Sequence, residues 1–327
     1  MASNSILPQL ASAPDNIPVI FLMGPTATGK TDAAAYLTHY LPVEIVSVDS
    51  SLVYRGMDIG TAKPDPAFLQ SYPHHLVDIR NPDETYSAAD FVADSTRLIK
   101  EITARGNIPL LVGGTSFYFS ALERGLPDLP PACPDVRNRI NEQAETQGWA
   151  ALHAHLQDID PKSAARIDIN DPQRIQRALE INELTGKPVG LYTDSKCPIP
   201  NPICKIAMSF SDRAVLHKRV QQRFDIMLEA GLVAEVKTLI DDKYDRNLPA
   251  FRMIGYRQTI EFLEEKINLD KMVESGVIAT RQLAKRQLTW LRNQSNVMWW
   301  VSDQELIDKR FQSLLAYIQQ LVITLYR

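Results

Sequence analysis

At 327 residues, the chain is long enough to bury a sizeable core, as one large domain or as a core with a smaller partner. Its 45 % hydrophobic and 23 % charged residues are those of an ordinary globular protein. The formal net charge of -4 excludes a globally basic nucleic-acid binder, so an RNA partner would have to be met by a local stripe of Lys and Arg.

Residues 1–18 are rich in Ser, Ala and Pro and carry no Lys or Arg, so they lack the parts of a secretory signal and read as a flexible leader on a cytoplasmic protein. Val19 to Met23 is a short apolar run, the pattern of a strand buried on both faces of a parallel sheet. A helix is predicted over Asp32 to Leu41, a second buried strand over Val43 to Val48, a helix over Ser87 to Ala104 and a third strand over Pro109 to Val112. This alternation predicts an α/β fold, a doubly wound parallel sheet whose ligand site lies at the carboxyl ends of its strands; the G-x-x-x-x-G-K-[ST] loop that follows the first strand makes it P-loop NTPase-like.

Proline clusters at Pro127 to Pro131 and Pro198 to Pro202 bracket a polar helical stretch. We take residues 127–203 as an inserted helical subdomain, and 19–126 with 204–327 as the catalytic core. Helices are expected at Arg213 to Leu228, Ala279 to Arg292 and Phe311 to Leu325, the last with apolar spacing that suits packing rather than a membrane. No apolar run reaches the roughly 20 residues needed to cross a bilayer. Cys133, Cys197 and Cys204 lack metal-ligand spacing and read as reduced, structural thiols.

The strongest signal is Gly24, Pro25, Thr26, Ala27, Thr28, Gly29, Lys30, Thr31, which fits G-x-x-x-x-G-K-[ST] between a strand and a helix. Such a loop turns backbone N–H groups toward phosphate oxygens at a positive helix end. Lys30 would add a mobile charge, and Thr31 a hydroxyl ligand for Mg²⁺. The loop identifies a polyphosphate rather than a nucleotide, so a small-molecule or nucleotide kinase is one reading. Kinases and NTPases usually place a metal-holding acid at the end of a later strand, whereas here the third strand runs into Gly113-Gly114 and the acid comes early, at Asp49. Asp49 closes a buried strand and can serve as a general base or contact metal-bound water; the alternative is a turn or helix-capping aspartate.

Gly24 to Thr31, Asp49 to Pro64, Tyr86 to Phe91, Gly113 to Thr115, Asp171 to Arg177, Gln222 to Phe224, Ile254 to Gln258 and Thr280 to Gln287 occur in that order, and with them the chain resembles the bacterial tRNA dimethylallyltransferases. The resemblance implies transfer of a dimethylallyl group from dimethylallyl diphosphate to N6 of the adenosine 3′ of the anticodon, in tRNAs reading codons that begin with U, with Mg²⁺ as cofactor. It also implies that Asp49 is the general base, that Thr26, Lys30, Thr31 and Arg223 hold the diphosphate, and that Thr115 contacts the target nucleotide. On its own, Thr115 reads equally as a turn hydroxyl or helix cap. Ser116-Phe117 stands where the family commonly has Gly-Leu.

The same resemblance maps contacts to the tRNA anticodon stem-loop onto Asp49, Ser50, Ser51 and Leu52; Arg137; Gln173, Arg174, Ile175, Gln176 and Arg177; Arg252, Met253, Ile254, Gly255, Tyr256 and Arg257; and Lys285, Arg286, Gln287, Leu288, Thr289, Trp290, Leu291 and Arg292. Helical spacing independently puts Arg281, Lys285, Thr289 and Arg292 on one face, as a phosphate-binding stripe or a solvated charged face. Phe117, Tyr118 and Tyr256 are candidates for stacking on a flipped base, or core residues. His74-His75 makes a poor metal pair, because neighbours on a strand point opposite ways; one is expected to be buried and the other at the surface. His153 and His155 read as structural.

A non-catalytic tRNA-binding module would leave the phosphate loop unexplained. A relative that prenylates ATP or ADP is opposed by the Gln173 to Arg177 string, and the zinc finger of eukaryotic tRNA relatives is missing after the basic helix. Nothing demands an oligomer, so a monomer is expected.

Overall fold

The computed structural model describes residues 16–192, 195–242, 244–301 and 307–325. The chain forms two compact units, residues 1–123 with 198–327 and residues 124–197. In chain order the elements are β1 (Val19–Met23), α1 (Lys30–Thr38), β2 (Val43–Val48), α2 (Pro66–Ser71), β3 (His74–His75), α3 (Ala88–Ala104), β4 (Ile108–Gly113) and α4 (Ser116–Arg124). Helices α5 (Pro134–Gln147), α6 (Trp149–Ile159), α7 (Pro161–Ala164) and α8 (Pro172–Thr185) follow. The chain then continues through β5 (Ile203–Ser209), α9 (Arg213–Glu229), α10 (Leu232–Asp241), α11 (Tyr256–Leu263), α12 (Leu269–Arg292), β6 (Val297–Val301) and α13 (Ile307–Leu325).

The sheet of the first unit has the order β3-β2-β4-β1-β5-β6, and every pair is parallel. Because the strands are covered on both faces, β1 splits its apolar side chains between two cores. Val19, Phe21 and Met23 join one with α3, α9 and α12, while Ile20 and Leu22 join another with Ala33, Ala34 and Leu37 of α1 and Phe311, Leu314 and Ile318 of α13. Parallel pairing brings the carboxyl ends of β1, β2 and β4 to one edge, where a crevice forms.

Local chemistry sets the helix ends. Ser87 caps α3 by accepting from Asp90 N–H at 3.2 Å while Asp90 accepts from Ser87 N–H at 2.8 Å, a reciprocal box on the residue where the helix was expected to begin. Helix α12 begins at Leu269 rather than Ala279. Gly276 sits inside it because a Cβ there would lie 2.4 Å from the Phe224 ring of α9. The glycine permits a close helix crossing at the expense of helix propensity.

The expected leader falls mostly on residues 1–15, outside the described residues, but Ile17 is fully buried and its carbonyl accepts from Asn201 Nδ2 at 3.0 Å. The second proline cluster belongs to the first unit: Ile199 is a core residue and Pro202 carbonyl accepts from Val19 N–H at 2.8 Å. Strands β5 and β6 were absent from the predicted elements. Lys205 interrupts the apolar run of β5, and its ammonium is accommodated by Glu123 at 2.7 Å.

The second unit is helical, with Val136, Ile140, Leu152, Leu156, Ile175 and Leu179 at its centre. Glu180 is fully buried there, accepting from Cys133 N–H, Arg137 and Arg177. Burial pushes its carboxyl up, yet the hydrogen bonds from Arg137 and Arg177 outweigh this and hold it below the usual range.

At the end of β4, a Cβ on Gly113 would lie 2.0 Å from the Val48 carbonyl oxygen of β2. Gly113→Ala is therefore expected to destabilise the protein by about 2–3 kcal/mol, read from urea denaturation, whereas Gly186→Ala, with nothing within 4 Å but a φ of 66°, should lose only about 1 kcal/mol of backbone strain. Equal losses would show that the strand ends yield freely.

Candidate functional site

The loop after β1 is built around unusual backbone. Ala27 (φ 65°) and Gly29 (φ 83°) are left-handed, which turns the chain sharply into α1. Ala27 is held in that costly conformation as its carbonyl accepts from Arg219 Nε at 2.8 Å. Pro25 carbonyl accepts from the Thr28 hydroxyl at 2.8 Å and from Lys30 Nζ at 2.7 Å, so the lysine folds back over its own loop. A side chain on Gly24 would meet Met208 carbonyl of β5 at 2.7 Å, which explains a glycine at the strand end.

A cavity of about 610 Å³ opens at this edge of the sheet. Thr26, Lys30 and Thr31 line it beside Asp49, Ser50, Ser51, Leu52, Thr115 and Arg223, so the structure brings together the residues expected to act on the diphosphate and the target base. Met253, Ile254, Gly255, Arg286, Gln287 and Trp290 complete that set. The floor and remaining walls hold residues that sequence reasoning missed. Ser47, Gly60, Thr61, Ala62 and His74 are polar or backbone contributors, and Val220, Phe224, Met227 and Leu283 are apolar.

Asp49 takes the turn role that was open for it and also lines the cavity. Its Oδ1 accepts from Ser51 N–H at 2.8 Å and from the Ser51 hydroxyl at 2.5 Å, as a turn aspartate does. Oδ2 makes no hydrogen bond among the described residues, and the side chain lines the cavity. Thr115 accepts from Ser50 N–H at 3.1 Å, while its own N–H donates to Val48 carbonyl at 3.2 Å, so it ties the loop after β4 to the loop after β2. Ser47 Oγ is buried without a hydrogen-bond partner.

Electrostatics distinguish this cavity from an ordinary cleft. Burial pulls the Lys30 ammonium down to about 7, the nearby Arg223 guanidinium adds repulsion, and Asp49 opposes both. Arg223 is depressed as well, by burial, with Asp49 again opposing. Two cations and one carboxylate leave a net positive, desolvated site suited to a polyanion.

Gln287 has a different place from the one expected. It is 8 % exposed; its Oε1 accepts from Thr26 N–H at 3.1 Å and its Nε2 donates to Gly114 carbonyl at 2.8 Å. Its amide thus spans the phosphate loop and the end of β4 rather than facing outward. Tyr256 is fully buried with its hydroxyl on Glu235 at 2.7 Å, and Tyr118 is buried and stacked on Phe91 at 4.4 Å; both are core. Phe117 is 62 % exposed and lines the cavity, which leaves it as the stacking candidate. Leu288 and Leu291 are buried in the core, as is Ile175 in the second unit. Lys285, Arg286, Thr289 and Arg292 are exposed on α12, whereas Arg281 is half-buried with Nε unpartnered. Arg252 and Arg257 are exposed.

In the second unit, Gln173 and Arg174 are exposed, Gln176 donates to Asn141 Oδ1 at 2.7 Å, and Arg137 and Arg177 spend donors on Glu180. The histidine pair divides differently from expectation, since both are half-buried. His74 Nδ1 meets Tyr72 carbonyl at 2.6 Å and the side chain lines the cavity, while His75 pairs with Glu44 at 3.2 Å. His153 contacts the Ile167 carbonyl at 2.9 Å, a structural role.

Fold and loop together define a P-loop α/β protein. Residues 52–294 match the family described as IPP transferase. The chain is 55 % identical over 278 residues to the tRNA dimethylallyltransferase of Thiobacillus denitrificans, covering 84 % of this chain and 89 % of that protein. Its structure is similar to the full-length tRNA isopentenylpyrophosphate transferase of Bacillus halodurans, with TM-score 0.69, 37 % identity, and coverage of 94 % of this chain and 98 % of the other. It is also similar to a eukaryotic dimethylallyltransferase acting on tRNA, with TM-score 0.70, 28 % identity, and coverage of 84 % and 69 %. The chain belongs to the IPP transferase family.

The depressed Lys30 has a signed consequence. In the empty site its charged form is lost as pH rises through about 7, so the lysine's contribution to anion binding should fade above that pH. The ratio of diphosphate dissociation constants, wild type over Lys30→Arg, is expected to grow roughly tenfold per unit between pH 7.5 and 9. Isothermal titration with inorganic diphosphate measures it, the ligand's own titration cancelling in the ratio; a flat ratio would refute the role of Lys30.

Proposed function

We propose that this protein transfers a dimethylallyl group from dimethylallyl diphosphate to N6 of the adenosine 3′ of the anticodon in tRNAs reading U-starting codons. The observation that carries the reading is the placement of Asp49, with a free carboxylate oxygen, in one cavity with the phosphate-loop Lys30 and with Arg223. The kinase alternative is disfavoured by the names of the relatives and by β4, which ends in Gly113 rather than an acid.

The division of labour follows from charge. Loop N–H groups between Gly24 and Thr31, with Thr26, Lys30 and Arg223, take the diphosphate; the apolar wall of Val220, Phe224, Met227, Leu283 and Trp290 suits the isoprenoid tail. The adenosine amine forms its bond to C1 of the prenyl chain as the C1–O bond breaks, the electron pair leaves on the diphosphate, and Asp49 Oδ2 takes the amine proton. A neutral exocyclic amine is a feeble nucleophile, so proton removal by a placed carboxylate is worth about 10²–10⁴-fold. Lys30 and Arg223 gain most from the charge that develops on the leaving oxygen.

The site suits Mg²⁺. The Thr31 hydroxyl and the orphaned Ser47 Oγ are hard oxygen donors around one cavity. No cluster of three or more His, Cys, Asp or Glu residues able to hold a metal occurs among the described residues, so phosphate oxygens and water would complete the shell, as Mg²⁺ prefers. The cation would neutralise charge on the diphosphate.

For the RNA, exposed Lys285, Arg286 and Arg292 on α12 and exposed Arg252 and Arg257 supply phosphate contacts, while Phe117 offers a ring for the flipped base. No described helix is long and apolar enough to cross a membrane. With tRNA as acceptor, the reading puts the enzyme in the cytoplasm, acting as a monomer.

The decisive assay incubates the protein with Mg²⁺, unmodified tRNA and either dimethylallyl diphosphate or ATP, followed by mass spectrometry of the digested nucleosides. A dimethylallyl increment on adenosine with the diphosphate alone is expected. Asp49→Ala should lower turnover by about 10²–10⁴-fold with tRNA affinity within a few-fold of wild type; full turnover would remove Asp49 from the role of base.

A further inference from the structure

Glu235 on α10 lies outside every sequence motif, yet it makes more converging contacts than any residue the motifs single out. Its Oε2 accepts from Asp58 N–H at 2.9 Å and Ile59 N–H at 2.6 Å, and its Oε1 accepts from Gly60 N–H at 3.0 Å and the Tyr256 hydroxyl at 2.7 Å. Three successive backbone amides form a small anion nest, here filled by a side chain of the protein itself. Gly60 is packed so closely on Tyr256 that a Cβ would lie 2.5 Å from its ring.

The next residue in this loop is Thr61, whose carbonyl accepts from Arg223 at 3.2 Å. That is the only hydrogen bond Arg223 makes among the described residues, so the direction of its guanidinium depends on where the loop holds Thr61. On the other side, Tyr256 follows directly on Met253, Ile254 and Gly255, which line the same cavity. A single carboxylate therefore joins the loop that aims Arg223 to the segment ending in Tyr256 that also lines the cavity.

We infer that Glu235 is a positioning residue for the reaction: by clamping Asp58 to Gly60 against Tyr256 it fixes Arg223 on the diphosphate. The inference rests on the proposed role of Arg223 in holding that group. Only a carboxylate serves, because both oxygens accept from two donors each. An amide of the same shape would turn its NH₂ toward two donors in either orientation, leaving them unpaired. The loop keeps an independent anchor in Lys63, whose Nζ donates to Tyr54 carbonyl at 2.7 Å and pairs with Asp58 and Asp78. The Glu235→Gln protein is thus expected to fold.

The test is a double-mutant cycle on binding of inorganic diphosphate in the presence of Mg²⁺, by isothermal titration, with thermal melting as the check on folding. Glu235→Gln should weaken diphosphate at least tenfold in the wild-type background and less than twofold in an Arg223→Lys background. Tyr256→Phe, which removes one donor of the four, should weaken it by less than Glu235→Gln. With donor and tRNA, the Glu235→Gln defect should appear in KM for dimethylallyl diphosphate more than in KM for tRNA. Unchanged affinity in Glu235→Gln, or equal losses in both backgrounds, would overturn the positioning role while leaving the proposed function standing. Wild-type protein that binds no diphosphate would overturn both.

Discussion

Two desolvated cations facing one cavity are the constraint on which the rest of this structure turns. Lys30 and Arg223 repel each other in a desolvated space, with Asp49 alone opposing the repulsion. Such an arrangement is unfavourable in isolation, since a charge removed from water needs a partner. It persists because each cation keeps a backbone acceptor: Lys30 the Pro25 carbonyl, Arg223 the Thr61 carbonyl. An incoming polyanion relieves the repulsion, so part of the folding free energy is stored as affinity for it.

Holding loops from four strand ends close together requires that backbone approach backbone. Gly24 against Met208 and Gly113 against Val48 leave no room for a side chain, and Gly114 lies against the side-chain amide of Gln287. The Gln287 amide then satisfies one donor and one acceptor that these close approaches would otherwise strand, Thr26 N–H and Gly114 carbonyl. A long helix, α12, thereby gains a direct hold on the phosphate loop. The same helix exposes Lys285, Arg286 and Arg292, so one element both holds the phosphate loop and presents a basic surface.

Corrections to the sequence reading share a cause. Tyr256, Leu288, Leu291 and Ile175 lie within strings that match the family, but strings mark segments and do not separate the face that meets a ligand from the face that meets the core. Arg137 and Arg177 read as free cations until Glu180 is seen between them. Glu235 carries no local signal at all, because its partners are 175 or more positions away in the chain for the amides and 21 for Tyr256.

By itself the sequence determined the buried strands β1, β2 and β4, the phosphate loop, the capped start of α3 and the place of Asp49 at a strand end. These are properties of short windows, where apolar runs, glycine and capping chemistry act over a few residues. Tertiary structure alone decided strands β5 and β6, the pairing of β1 with β5, the inward turn of Gln287, the nest around Glu235 and the aim of Arg223. Each of these depends on hydrogen bonds or close contacts between segments far apart in the chain, whose geometry exists only once the sheet and the helices over it have packed.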